Sequence, residues 1–118
     1  MFAEAISLLV ARRVPTIAEN YARWQQHKWT QSGHEWSPGR TPEGTAILWS
    51  RTILPRIERY LPAATVLEIG PGFGRWTHFL RQHAGRLILV DLSDRCIESC
   101  RQRFADDTRI SYVVIDGV

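Results

Sequence analysis

The stretch Val66-Leu67-Glu68-Ile69-Gly70-Pro71-Gly72-Phe73-Gly74-Arg75-Trp76 decides the fold. Val66 to Ile69 set apolar residues around one acidic side chain, and glycines then follow at every second position, Gly70, Gly72 and Gly74. Trp76, Phe79, Leu80 and His83 come next at helical spacing, so the unit reads strand, glycine-rich turn, helix. Glycines in such a turn let the backbone take positive φ and let a ligand lie directly against the main chain. The unit is a nucleotide-type binding turn.

Two residues argue against a dinucleotide. A pyrophosphate site needs free N–H groups and no nearby negative charge. Pro71 removes a donor, Glu68 places a carboxylate at the strand end, and Arg75 stands where the third glycine of G-x-G-x-x-G would be. An NAD-type domain is therefore the least favoured reading. The pattern E-x-G-x-G-x-G after a short apolar strand resembles the first signature of class I, Rossmann-like S-adenosylmethionine-dependent methyltransferases. Their cofactor has no phosphate and carries a sulfonium and an ammonium, which a carboxylate beside the turn suits.

The downstream residues agree with that resemblance. Leu87 to Val90 is a continuous apolar run that ends at Asp91. From the tip of a second parallel strand Asp91 can accept both ribose hydroxyls. Ser93 is placed to cap a helix whose Cys96, Ile97, Cys100 and Phe104 share a face. Ile110 to Ile115 reads as a third strand, ending at Asp116-Gly117. The resemblance implies an acidic residue near the adenine amino group at this place. The cofactor-binding set it implies is Glu68, Gly70, Pro71, Gly72, Phe73, Gly74, Asp91, Leu92, Asp116 and Gly117. It implies no metal, and no catalytic residue can be nominated.

Before the turn, residues 1–61 read as a helical prefix and residues 62–118 as a partial S-adenosylmethionine-binding domain. Phe2, Ile6, Leu9, Val10 and Arg13 suggest an amphipathic helix too short for a signal peptide's apolar core. Thr16 and Glu19 have capping-box spacing for a second helix, with Ile17, Tyr21 and Trp24 on its inner face and Lys28 at its end. Trp29 to Gly44 is a loop with two tryptophans, Trp29 and Trp36, which either cover a ligand or pin the loop to the core. Pinning is the favoured reading. His27 and His34 lack an evident acidic partner and read as ordinary surface histidines, and His78 and His83 as exposed or packing residues. Thr41-Pro42 opens a third helix with an inner stripe of Ala46, Trp49, Ile53, Ile57 and Tyr60, kinked or split in two by Pro55 after Leu54.

The chain has 118 residues, 44% hydrophobic and 23% charged, which is the balance of a globular domain. Its net charge of +3 is scattered, which favours a solvated surface over a nucleic-acid footprint. Cys96 and Cys100, one helical turn apart, make poor disulfide partners and read as reduced thiols of a cytoplasmic protein. No stretch approaches the roughly 20 apolar residues of a membrane span.

The expected architecture is α/β, an open parallel sheet in the order 3-2-1, truncated relative to the seven-stranded family core. The expected function is the cofactor-binding half of a methyltransferase, its acceptor unassigned and the activity of this short chain alone open. The alternative is a non-catalytic cofactor-binding or scaffolding module that needs a partner chain. With one side of the first strand unpaired, self-association, segment exchange, cover by the prefix helices or a partner chain is expected.

Overall fold

The structure, a computed structural model, describes residues 13–30 and 32–116. The helix expected around Phe2 to Arg13 and the residue Gly117 lie outside the described residues, apart from Arg13 itself. Three strands, β1 (Ala63–Ile69), β2 (Ala84–Asp91) and β3 (Ile110–Val114), form one parallel sheet in the order β1-β2-β3. β1 and β2 start three residues earlier than their apolar runs, because Ala63 pairs with Ala84 before the hydrophobic segments begin. β3 stops at Val114, one residue short of the expected end, although the Ile115 amide still donates to Asp91 O at 3.0 Å.

The core lies on one face of this sheet. Leu87 and Leu89 alternate inward along β2 and are essentially fully buried. They meet Ile97, Cys100 and Phe104 from the helix Asp94–Arg103 and its C-cap, with Ile110 of β3 closing the cluster. Ser93 caps that helix as expected, its Oγ accepting from the Cys96 amide at 3.2 Å. The two cysteines are free and buried. β1 behaves differently. Among the described residues it has no neighbour on its outer side, and Leu67 and Ile69 are 57% and 74% exposed.

In the prefix, α1 (Ile17–Gln26) starts with the full capping box. Thr16 Oγ1 accepts from the Glu19 amide at 3.2 Å and Glu19 Oε2 from the Thr16 amide at 2.8 Å. Its expected inner stripe is not buried: Ile17 and Tyr21 are exposed, Lys28 is exposed, and Trp24 is half-buried. Polar contacts dock the helix instead. Tyr21 Oη donates to Asp94 Oδ1 at 3.2 Å, Ser93 Oγ to Gln25 Oε1 at 2.6 Å, and Arg95 to the carbonyls of Gln25 and His27.

α2 (Pro42–Leu48) is capped by Thr41, whose Oγ1 accepts from the Gly44 amide at 3.1 Å. The helix is divided near Pro55, but before Leu54 and not after it. A π-helical turn over Trp49–Ile53 precedes α3 (Leu54–Ile57), with the Leu54 amide bonded to Trp49 O. Pro55 has no N–H to give the Arg51 carbonyl, and widening the preceding turn accommodates that without breaking the rod. Widening also rotates the stripe. Trp49 is buried, Ile53 and Ile57 are half-buried, and Ala46 and Tyr60 are exposed. Trp49 stacks on Phe79 with centroids 5.0 Å apart, joining the prefix to α4 (Thr77–Leu80). α4 is one turn, continued by a 3₁₀ turn over Arg81–His83, and it has no side-chain cap. The helix Asp94–Arg103 is α5.

A buried polar chain holds the loop between α1 and α2. Thr45 Oγ1 donates to Ser37 Oγ at 2.6 Å and lies 2.6 Å from His34 Nδ1, and Ser37 Oγ accepts from Arg75 Nη1 at 3.2 Å. Thr45→Val keeps the volume but strips two partners at once. It should cost about 1–3 kcal/mol in thermal or urea unfolding, and Thr45→Ser should recover most of that. Equal losses in the two variants would show that the hydroxyl contributes nothing beyond packing.

Candidate functional site

The glycine turn continues β1 by one bond, Gly70 N to Val90 O at 2.8 Å, and closes through Gly74 N to Pro71 O at 2.9 Å. Gly70 and Gly72 have φ of +71° and +57°, the left-handed region that an L side chain resists. Their surroundings differ. A Cβ on Gly70 would meet nothing within 4 Å, so this side of the turn faces open space. A Cβ on Gly72 would fall 2.5 and 2.6 Å from carbons of the Trp29 indole.

Two carboxylates flank the turn. Asp91, at the end of β2, is buried; its Oδ1 accepts from the Ser93 amide at 2.9 Å and its Oδ2 from the Gly72 amide at 3.3 Å. Burial raises its pKa, and the amides oppose that rise. Glu68 is half-buried and accepts from Thr77 Oγ1 at 2.6 Å. Burial pushes its pKa up to about 7, with Thr77 opposing and Asp91 adding to the shift.

Facing the turn is a wall of indoles. Trp24, Trp29 and Trp36 lie 5.5 to 6.2 Å apart pairwise, and His27 sits among them, stacked on Trp36 at 5.0 Å and edge-on to Trp29 at 4.8 Å. His27 Nε2 is 3.3 Å from Glu35 Oε1, and Glu35 also accepts from the amide and hydroxyl of Thr30. Neither His27 nor His34 is the unpartnered surface histidine that the sequence suggested; both are half-buried and bonded. The loop runs close enough to the turn to enclose them. Trp29 stacks on Phe73 at 4.9 Å and 8°, so it pins the loop and walls the hollow at once.

Between wall and turn lies a cavity of about 320 Å³. Its floor is Gly70, Pro71, Gly72 and Asp91, its wall the three indoles, and Arg75, Trp76 and Cys96 complete it. Its volume is at the lower end of the range for small-molecule sites, roughly 300–1,000 Å³.

Residues 66–117 match the family model described as a methyltransferase domain. A phosphoethanolamine N-methyltransferase 1 of Haemonchus contortus, solved with phosphoethanolamine and S-adenosylhomocysteine, superposes with a TM-score of 0.57 at 20% identity, over 84% of this chain and 21% of that one. The DhpI–SAM–HEP complex gives 0.56 at 19% identity, over 84% and 40%. Residues 66–117 are thus similar to a methyltransferase domain, and the three-stranded parallel sheet shares the open Rossmann-like fold of these solved structures. A ribosomal RNA small subunit methyltransferase A of Geobacter sulfurreducens is 38% identical over 77 residues, 63% of this chain and 27% of that protein. The chain thus spans about a quarter of that relative's length.

Around the glycine turn the expected site residues divide. Gly70, Pro71, Gly72 and Asp91 line the cavity. Glu68 is held against Thr77 and is not part of its lining, Phe73 lies under Trp29, and Gly74 packs on Phe104. Leu92 and Asp116 line a separate cleft of about 890 Å³ with Ile17, Tyr21 and Val114. Trp24, Arg75, Trp76 and Cys96 were not legible as site residues. The signal that could have found part of the wall was the pair of tryptophans, Trp29 and Trp36, in the loop between α1 and α2.

The buried Glu68 gives the core a pH signature. Its folded pKa of about 7 lies above its ordinary 4.5, so the native state holds the extra proton between those values. Stability from this group is full below about pH 4.5 and is lost as pH rises to about 7, a difference of about 3 kcal/mol. Glu68→Gln should match the parent near pH 4.5 and exceed its stability near pH 8, in melts of both proteins. A parallel pH dependence in the two would show that another group titrates.

The Gly72–Trp29 contact separates in a double-mutant cycle. Gly72→Ala should destabilise by about 2–4 kcal/mol through clash and backbone strain together. In the Trp29→Ala background the same change should cost only the strain, about 1–2 kcal/mol. Additive losses would mean that the ring and the glycine do not press on each other.

Proposed function

We propose that the chain binds S-adenosylmethionine and is the cofactor-holding part of an S-adenosylmethionine-dependent methyltransferase. The observation that carries this is the chemistry of the cavity: a glycine floor with a buried carboxylate at its edge and indoles opposite. The carboxylate beside the glycine floor disfavours a pyrophosphate there and suits a ribose, and the aromatic lining suits an onium cation. The cofactor, when bound, supplies a methyl group on an electrophilic sulfonium.

The residues present fit that group. Asp91 keeps lone pairs free beside its two amide contacts, so it accepts from ribose hydroxyls in this reading. The open side of Gly70 gives the ligand room against the backbone. Trp24, Trp29 and Trp36 present π faces to positive charge, and Glu68 supplies negative charge from beneath the turn. Leu92 and Asp116 follow strand ends bonded through Ile115 N to Asp91 O, and we assign them, with Phe73, Gly74 and Gly117, to the remainder of the cofactor site. The protein's part in catalysis is to hold acceptor and cofactor in attacking geometry and to exclude water.

Residues 62–118 form the floor in this reading, and residues 1–61 the cover. A cytoplasmic location accords with the two free, buried thiols. No helix among the described residues is long and apolar enough to cross a membrane. The exposed outer edge of β1, with Leu67 and Ile69, favours a second reading beside the first: a module completed by a further strand from a partner or a second copy.

Calorimetry with S-adenosylhomocysteine and with NAD tests the assignment. The parent should bind the first and not the second. Asp91→Ala should weaken binding by about 1.5–3 kcal/mol, roughly tenfold to a hundredfold. Unchanged affinity in the variant would reduce Asp91 to a support for the Gly72 and Ser93 amides, and binding of NAD alone would overturn the cofactor.

A further inference from the structure

Arg75 separates two hollows. On one side it lines the indole-walled cavity, and on the other a cleft of about 480 Å³ shared with His34, His78, Arg103, Glu43 and Phe79. Arg75 and Arg103 are both half-buried, and among the described residues neither forms an ion pair. Arg103 uses Nη1 on the carbonyls of Phe73 and Gly74, at 2.9 Å each, and Arg75 uses Nη1 on Ser37 Oγ. Each guanidinium therefore keeps N–H groups for which the described residues supply no acceptor.

The charges around the cleft are one-sided. Burial, then Arg103, depresses the pKa values of both His34 and His78; Arg75 also acts on His34, and Arg81 and His34 on His78. The opposing carboxylates are few. Glu43 is exposed, and Glu35, which bears on Arg75 and His34, is already tied to Thr30 and His27. A half-buried guanidinium without an anion is costly, whereas the same pair beside a phosphate makes strong bidentate bonds.

We propose that this cleft is an anion subsite that holds the phosphate-type group of a small methyl acceptor. The word acceptor rests on the methyltransferase reading; the anion site rests on the cleft alone. Because Arg75 is the wall common to both hollows, an acceptor anchored here reaches toward the cofactor cavity. The cleft's volume suits a small molecule, and four nearby arginines are already engaged. Arg81 and Arg109 pair with Asp107, Arg101 pairs with Glu98, and Arg95 is spent on carbonyls of the prefix.

The histidines report the site directly. Their ring protons, followed by NMR in the whole chain, should titrate at higher pH for His34 and His78 as inorganic phosphate is added. His27 and His83, which lie outside the cleft lining, should stay where they are. The shift should saturate, should be absent in chloride of equal ionic strength, and should need about tenfold more phosphate in Arg75→Gln. A shift of all four histidines, or the same shift in chloride, is ionic screening and overturns the site. S-adenosylhomocysteine binding, measured on the same samples, keeps the two readings apart. If it binds while phosphate leaves His34 and His78 unmoved, the anion subsite fails and the cofactor reading stands. If phosphate alone binds, the cofactor reading fails and the subsite stands. A phosphomonoester alcohol should compete with phosphate at similar concentration. Tighter, steeply salt-dependent competition by single-stranded RNA would overturn the small-molecule class.

Discussion

The Trp29 indole lies on the bare α-carbon of Gly72, and most of the molecule depends on that contact. It is possible only because position 72 lacks a Cβ, and it brings the prefix loop against the turn. Once there, Trp29 stacks on Phe73 and meets Trp24 and Trp36, so one ring binds loop, turn and α1 together. A glycine that would serve a ligand in a bare turn here serves an aromatic ring of the same chain. The ligand space shifts to the side of Gly70, where nothing stands within 4 Å.

Charge is sorted across this arrangement. Glu68 and Asp91, with raised pKa values, flank the turn on the strand side, whereas Arg75, Arg103, His34 and His78 gather toward α2 and α4. Arg75 stands at the division, with its guanidinium 4.3 Å from the Trp76 ring centroid and 5.8 Å from that of Trp36. Indole faces hold a cation there without neutralising it, as a carboxylate would. Arg75 thus borders the carboxylate side and the basic side alike.

The sheet was legible in the sequence because its signals are local. An apolar run, a polar strand end and Ser93 two residues after Asp91 specify strand, tip and helix cap within ten residues of chain, and the structure has all three. The glycine turn was legible for the same reason. The indole wall was not, since Trp24, Trp29 and Trp36 meet only after the loop folds back, and nothing in their spacing announces it. The inner stripe of α1 misled because helical periodicity gives a face without saying what lies opposite; here polar contacts at Asp94, Ser93 and Arg95 met it. Pro55 was read correctly as a disturbance that kinks or divides the helix, but the division falls before Leu54, as a widened turn.

Glu68 joins the turn's architecture to its chemistry. A carboxylate buried behind a glycine turn would ordinarily be a liability, yet with a pKa of about 7 it is near the balance between its two forms at neutral pH. Ionising it there costs little free energy, because the energy needed scales with the distance between pKa and pH. Thr77 donates to it in either form, so the proton can leave without breaking the hydrogen bond that orients the group. When the cavity is empty of charge, the neutral acid avoids a buried anion beside Asp91. In the cofactor reading proposed above, the field of an onium ion in the neighbouring cavity would favour the carboxylate over the neutral acid. In that reading the same burial that weakens the fold at high pH makes the turn responsive to a cation.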